Sequence, residues 1–144
     1  MYNLIIAGSR EFTHPNFYRV LELAVETFEA NARKLDGPVT VFWGCATGMD
    51  THGKAYADAR GWLNRPFPAD WAQHKKMAGP IRNQEMIDAG AHGLVVVCLD
   101  DSRGSADMHR RATKADLDVL RFQFKRHWEG KVFNENEGRW VAPK

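Results

Sequence analysis

The chain has 144 residues, enough for one domain that buries about two thirds of its unfolded surface without disulfides or metals. Its 20 basic and 18 acidic residues leave a net charge of +2, which excludes the broad field of a dedicated nucleic-acid or membrane-surface binder and makes any electrostatic recognition local. No window reaches the roughly 18 apolar residues of a spanning helix, and the first residues enter a strand without a charged leader, so a soluble cytoplasmic protein is expected.

Taken in order, residues 2–7 (YNLIIA) form a short β-branched apolar run ended by Gly8, Ser9 and Arg10, which predicts a buried first strand and a turn. Phe17, Val20, Leu21, Ala24, Val25 and Phe28 then follow the i, i+3, i+4, i+7 spacing of an amphipathic helix, stopped at Asp36, Gly37 and Pro38. A second strand is expected over residues 39–43 and a second helix over 51–60, with Ala55, Tyr56 and Ala59 inward and Gly61 at its C-terminal cap. Residues 63–67 are weakly strand-like, and Pro66 and Pro68 confine them to a sheet edge or an extended connection. Residues 69–79 lack a hydrophobic period and read as a loop carrying Trp71, His74, Lys75 and Lys76.

Pro80 then opens a third helix to Ala89. Residues 93–99 (GLVVVCL), the most apolar run, predict a central strand buried on both faces. After a turn at 100–104 come a fourth helix (105–114) and a strand (119–124) with Arg121 and Gln123 on one face. The expected division is a domain over residues 1–126 and a small hairpin or docking tail over 127–144. Cys45 and Cys98 lie in or beside apolar runs and read as small buried thiols in a reducing compartment. The six histidines show no zinc-like pairing with them, so no metal is expected.

Alternating strands and helices predict a single α/β domain, Rossmann-like, with a mainly parallel sheet and helices on both faces. In such a sheet every strand-to-helix turn lies at the carboxyl edge. Three small-residue turns therefore converge there: Gly8 to Arg10; Gly44, Ala46, Thr47 and Gly48; and Ser102, Arg103, Gly104 and Ser105. Glycines admit a close main-chain approach, and helix starts favour anions, so the convergence predicts a phosphate or nucleotide site. Arg10 and Arg103 are candidate phosphate forks, the alternative being surface ion pairs. Ser9, Thr47 and Ser105 are hydroxyl donors or caps, and Asp50 is a helix N-cap or a partner of a ribose hydroxyl. Trp71 offers a face for base stacking or packs structurally. Cys45 sits in a turn with no base positioned beside it, which argues against a nucleophile.

The motifs IAGSRE (6–11), GCATGMD (44–50), FPADW (67–71), AGPIRNQEM (78–86) and SRGSADM (102–108), in that order, closely resemble the YspA or cpYpsA-related proteins of the SLOG superfamily, a Rossmann-like group of bacteria and phages. The resemblance covers about residues 3–124. It implies a nucleotide or ADP-ribose-like ligand, bound for sensing or sequestration and without a further cofactor, and a homo-oligomer in which the aromatic C-terminal tail is one possible contact.

Relatives in that superfamily include the LOG-type phosphoribohydrolases, which split a nucleoside monophosphate, and the DNA-processing protein DprA. Arg82, with Asn83 beside it, stands where the LOG enzymes have a functional arginine, and residues 102–105 stand at their phosphate loop. Met108 replaces the glutamate of that loop. An enzyme of the LOG kind would need Asp107 or Asp50 as a relocated carboxylate, since one helical residue is about 100° of rotation, and loss of an acid or base typically costs about 10²–10⁴-fold. A DprA-like single-strand DNA binder is the third alternative; the near-neutral charge argues against nucleic acid.

Overall fold

The computed structural model describes residues 1–32, 37–100 and 102–124, with the backbone of 132–134 and 139–141. Five strands, β1 (Tyr2–Gly8), β2 (Val39–Trp43), β3 (Leu63–Pro66), β4 (Gly93–Leu99) and β5 (Asp118–Phe124), form one sheet in the order β3-β2-β1-β4-β5. All four pairings are parallel. The helices between them are α1 (Asn16–Ala32), α2 (Met49–Ala59), the single turn α3 (Trp71–His74), α4 (Ala78–Asp88) and α5 (Arg103–Lys114). This is the Rossmann-like α/β arrangement that the alternation of elements predicts.

The two-residue period of the strands explains the layers. On one face Leu4, Ile6, Val41, Val95 and Val97 pack with Val20, Leu21, Ala24, Val25 and Phe28 of α1 and Met49, Tyr56 and Ala57 of α2. On the other, Ile5, Phe42, Leu94, Val96 and Cys98 meet Met86 of α4 and Met108 and Ala112 of α5. Burial of β4 on both faces follows from its unbroken apolar run. The β3 strand is a four-residue edge ending at Pro66, where the missing N–H costs no ladder bond inside the sheet.

Several elements differ from the sequence expectation. Residues 69–79 are not a loop: Asp70 Oδ1 accepts the Gln73 N–H at 3.1 Å and starts α3, a 3₁₀ turn follows over Lys75–Met77, and α4 begins at Ala78. Local capping creates structure there without a hydrophobic period. Pro80 is the third residue of α4, still within the turn that needs no N–H partner. Helix α2 starts at Met49, two residues early; Tyr56 faces inward as expected, and the helical spacing brings Gly53 and Ala57 in with it and leaves Ala55 and Ala59 exposed. Its end is as expected: Gly61 has φ 69°, the Gly61 N–H bonds Asp58 O and the Trp62 N–H bonds Ala57 O. Of the two thiols, Cys98 is buried, but Cys45 is exposed, with φ 63° in the β2–α2 turn.

Residues 132–134 and 139–141 pair as an antiparallel hairpin. The expected helix stop at Asp36, the side chains of Trp128, Phe133 and Trp140 and the 126/127 boundary lie outside the described residues. No helix among the described residues is long and apolar enough to cross a membrane.

Candidate functional site

The strand order reverses between β1 and β4, because β1 continues to one side of the sheet and β4 to the other. At such a point the two strand-to-helix connections diverge and leave a crevice beyond the carboxyl ends. A cleft of about 810 Å³ opens there. Of the residues predicted for a site, Gly8, Ser9, Arg10, Ala46, Asp50, Trp71, Arg82, Asn83, Ser102, Arg103, Gly104, Ser105 and Asp107 line it. Gly44, Thr47 and Gly48 do not.

The β2–α2 turn is closed by its own chain. Gly48 takes φ 75°, and the Met49 N–H donates to Ser9 O at 3.2 Å. Thr47 Oγ1 donates to Arg10 O at 3.3 Å. Asp50 is the second residue of the helix, not its N-cap, and Asp50 Oδ2 accepts the Ala46 N–H at 3.3 Å. The carboxylate thus stands in the first turn of α2, where the helix dipole favours negative charge, and takes its hydrogen bond from the turn that precedes the helix. Gly44 is needed because the Arg82 guanidinium lies over it and donates to Gly44 O; a Cβ there would come within 2.8 Å of Asp50 Oδ2.

Arg82 and Asp50 are both buried. Burial pushes the Asp50 carboxyl up to about 6, against the charge of Arg82, the N–H groups of Ala46 and Gly8 and the charge of Arg10. Burial likewise lowers Arg82, against the attraction of Asp50. Desolvation outweighs their mutual attraction on both sides.

From Arg82 a polar chain crosses the cleft floor. Arg82 Nε donates to Asn83 Oδ1 at 3.0 Å, and Asn83 Nδ2 donates to Asp107 Oδ2 at 3.0 Å. Asp107 also accepts from Arg110 Nη2 at 2.7 Å and Arg111 Nε at 2.8 Å. Burial raises the Asp107 carboxyl, but the hydrogen bonds of Arg111 and Asn83 and the charges of both arginines bring it below its ordinary value. Asp107 is therefore a fixed anion that holds α4 to α5, poorly suited to exchanging protons near neutrality.

The β4–α5 turn has a different construction. Ser102 caps α5: Ser102 Oγ accepts the Ser105 N–H at 3.4 Å and donates to Ser105 Oγ at 2.9 Å. Helix geometry leaves the N–H groups of the first turn without intrahelical partners, and Arg103 and Gly104 of that turn line the cleft. Arg103, Arg10, Lys76 and Arg110 are exposed around the opening. The Arg10 guanidinium carbon lies 4.9 Å from the centre of the Trp71 ring, which is 47% exposed at the rim. The Ser9 hydroxyl serves the fold, accepting the Leu99 N–H at 2.7 Å and locking the ends of β1 and β4.

Lys76, which the sequence offers with Lys75 as a cationic rim or a solvated surface, lines the cleft. Sequence reasoning missed Arg110, which carried a signal: Arg103, Asp107 and Arg110 follow the spacing of one helical face. Among the described residues no three His, Cys, Asp or Glu side chains gather into a group fit for a metal ion.

The chain is similar to "Gene 61 protein" of Mycobacterium phage D29, with 43% identity over 54 residues. The aligned stretch covers 38% of this chain and 43% of that protein, so the chain spans under half the length of the relative it matches. No protein-family model and no solved structure matches the chain.

Proposed function

We propose that the cleft binds a nucleotide or nucleotide derivative of the ADP-ribose kind, in a protein of the YspA-related SLOG group that senses or sequesters this ligand. The observation that carries the reading is the asymmetry of the cleft wall. It sits at the switch point of a parallel sheet, and where the start of α2 is closed by its own chain, α5 presents its first turn to the opening among exposed cations. A phosphate at Arg103 and Gly104 would meet main-chain N–H groups, with Arg10 and Arg103 free of the buried network that occupies Arg82. Trp71 at the rim supplies an aromatic face for a base.

Thermal denaturation with nucleoside mono-, di- and triphosphates, NAD and ADP-ribose tests this reading. A ligand at 100 times its Kd adds about 2.7 kcal/mol of stability. The shift is expected in the wild type and lost in an Arg10→Ala/Arg103→Ala variant that folds normally. No shift with any of these compounds, or an equal shift in the variant, refutes the site.

One observation favours a second reading, a nucleoside monophosphate phosphoribohydrolase. The buried Asp50, held up to about 6 at the cleft wall, is close to the value that suits an acid or base at neutral pH. Release of free base from a nucleoside monophosphate, absent in Asp50→Asn, distinguishes cleavage from binding alone.

A further inference from the structure

Asp50 is a buried carboxylate that the phosphate reading leaves without a part, although it lines the same cleft. We propose that Asp50 selects the sugar of the ligand, accepting hydrogen bonds from the vicinal hydroxyls of a ribose, so that the cleft takes ribonucleotides and discriminates against their 2′-deoxy counterparts. The inference rests on the nucleotide reading of the cleft.

Charge decides what Asp50 can accept. An ionised carboxylate offers about four lone-pair positions. The Ala46 N–H takes one of them, and the nearby Gly8 N–H also favours the charged form. Arg82 from α4 supplies a full positive charge beside it, Arg10 from the β1–α1 turn adds to that field, and the Cys45 thiol shares its own turn. A second cation, whether an amine or a metal ion, meets the repulsion of Arg82 at close range. A phosphate meets the carboxylate itself. A neutral group with two O–H donors satisfies the remaining acceptor capacity without changing the charge of the wall, and a vicinal diol is such a group.

Position agrees with charge. Gly8, whose N–H favours the Asp50 charge, begins the turn carrying Ser9 and Arg10, and all four residues line the same cleft, so the carboxylate lies beside the phosphate wall. In a 5′-nucleotide the sugar is the immediate neighbour of the phosphate, and the base lies farther out. A guanine edge also offers two neutral N–H donors, but it belongs to the distant end of such a ligand.

The test compares each of the four ribonucleoside 5′-monophosphates with its 2′-deoxy counterpart by isothermal titration calorimetry at neutral pH. The wild type is expected to bind at least one ribonucleotide about tenfold to a hundredfold more tightly than its deoxy partner, the range of a hydrogen bond to a charged group. In Asp50→Asn and Asp50→Ser the ratio is expected to fall to within about threefold while binding persists; the second variant covers the case in which the first fails to fold. Equal affinities for ribo and deoxy ligands in the wild type overturn the inference and leave the nucleotide reading standing. So does a ratio that survives in a folded variant, or a preference that follows guanine regardless of sugar. Absence of all nucleotide binding, with ADP-ribose included, overturns both.

Discussion

The β2–α2 and β4–α5 turns look alike in sequence, each a glycine-containing run of small residues between an apolar strand and a helix. In the fold they are opposites. The first holds the Asp50 carboxylate on the Ala46 N–H, packs its backbone on Ser9 and Arg10 and is sealed by Arg82. The second is capped only by the short Ser102 side chain and opens onto the cleft. A glycine-rich strand-to-helix turn thus marks a place where an anion is stabilised, and the chain itself can supply the anion. What separates the cases is a carboxylate in the first turn of the helix with a buried cation facing it.

The sharpest way to break this contrast is to remove the seal. Arg82→Met leaves Asp50 as a buried carboxylate without its cation, and urea denaturation at neutral pH is expected to show a loss of about 3–5 kcal/mol. That loss is expected to shrink near about pH 5, where Asp50 takes a proton and no longer needs a partner.

Asp50 itself gives the next effect. Its folded value of about 6 lies above the ordinary 3.8, so the fold favours the protonated form. This contribution is fully present below the unfolded value and is lost as pH rises through the folded one. The difference amounts to about 3 kcal/mol. The stability of the wild type relative to Asp50→Asn is expected to fall by that order between about pH 4 and 6 and to stay level above. Parallel urea titrations across this range check it, since other titrating groups cancel in the difference.

Glycine substitutions compare the two turns directly. Gly44→Ala drives a methyl group against the Arg82 guanidinium and Asp50 and is expected to cost about 1–3 kcal/mol. Gly104→Ala, in the first turn of α5 with nothing within 4 Å of the added Cβ, is expected to stabilise by about 0.5–1 kcal/mol. The same thermal melts read both, and equal effects would erase the distinction between a sealed and an open turn. The smallest effect belongs to Arg103→Ala: an exposed side chain at the helix start is expected to change stability within about 0.5 kcal/mol in either direction.

Most of the sheet was legible because its strands announce themselves locally; β3, broken by Pro66 and Pro68, left only a weak trace. GLVVVCL, short, β-branched and bounded by turn residues, reads as a strand buried on both sides, and YNLIIA followed by Gly8 as a short one. Residues 71–77 were not legible, since the Asp70 cap and a single turn of helix leave no periodic trace. In the cleft, the convergence of the first and third turns followed from parallel topology alone. That Gly44 and Gly48 serve the turn and its packing was one of two readings the sequence left open; what decides it, Arg82 reaching back 38 residues to Gly44 O, was hidden. The role of Asp107 was hidden for the same reason: one helical face shows Arg110 and Arg111 near it, but Asn83 arrives from another helix.

Ser9 and Leu99 join the ends of β1 and β4 across 90 positions of sequence, which bears on how the chain is made. During synthesis β1 can pair with β2 early, while its other edge waits unpaired until residues 93–99 emerge. At about 5–20 residues per second the delay is about 3–10 s. For that time the nascent chain carries an open apolar strand edge, the form most exposed to mispairing and to chaperone capture. The cleft is also assembled last, since its wall needs β4 and the start of α5. A ribosome stalled before β4 therefore leaves a fragment with half a core and no site.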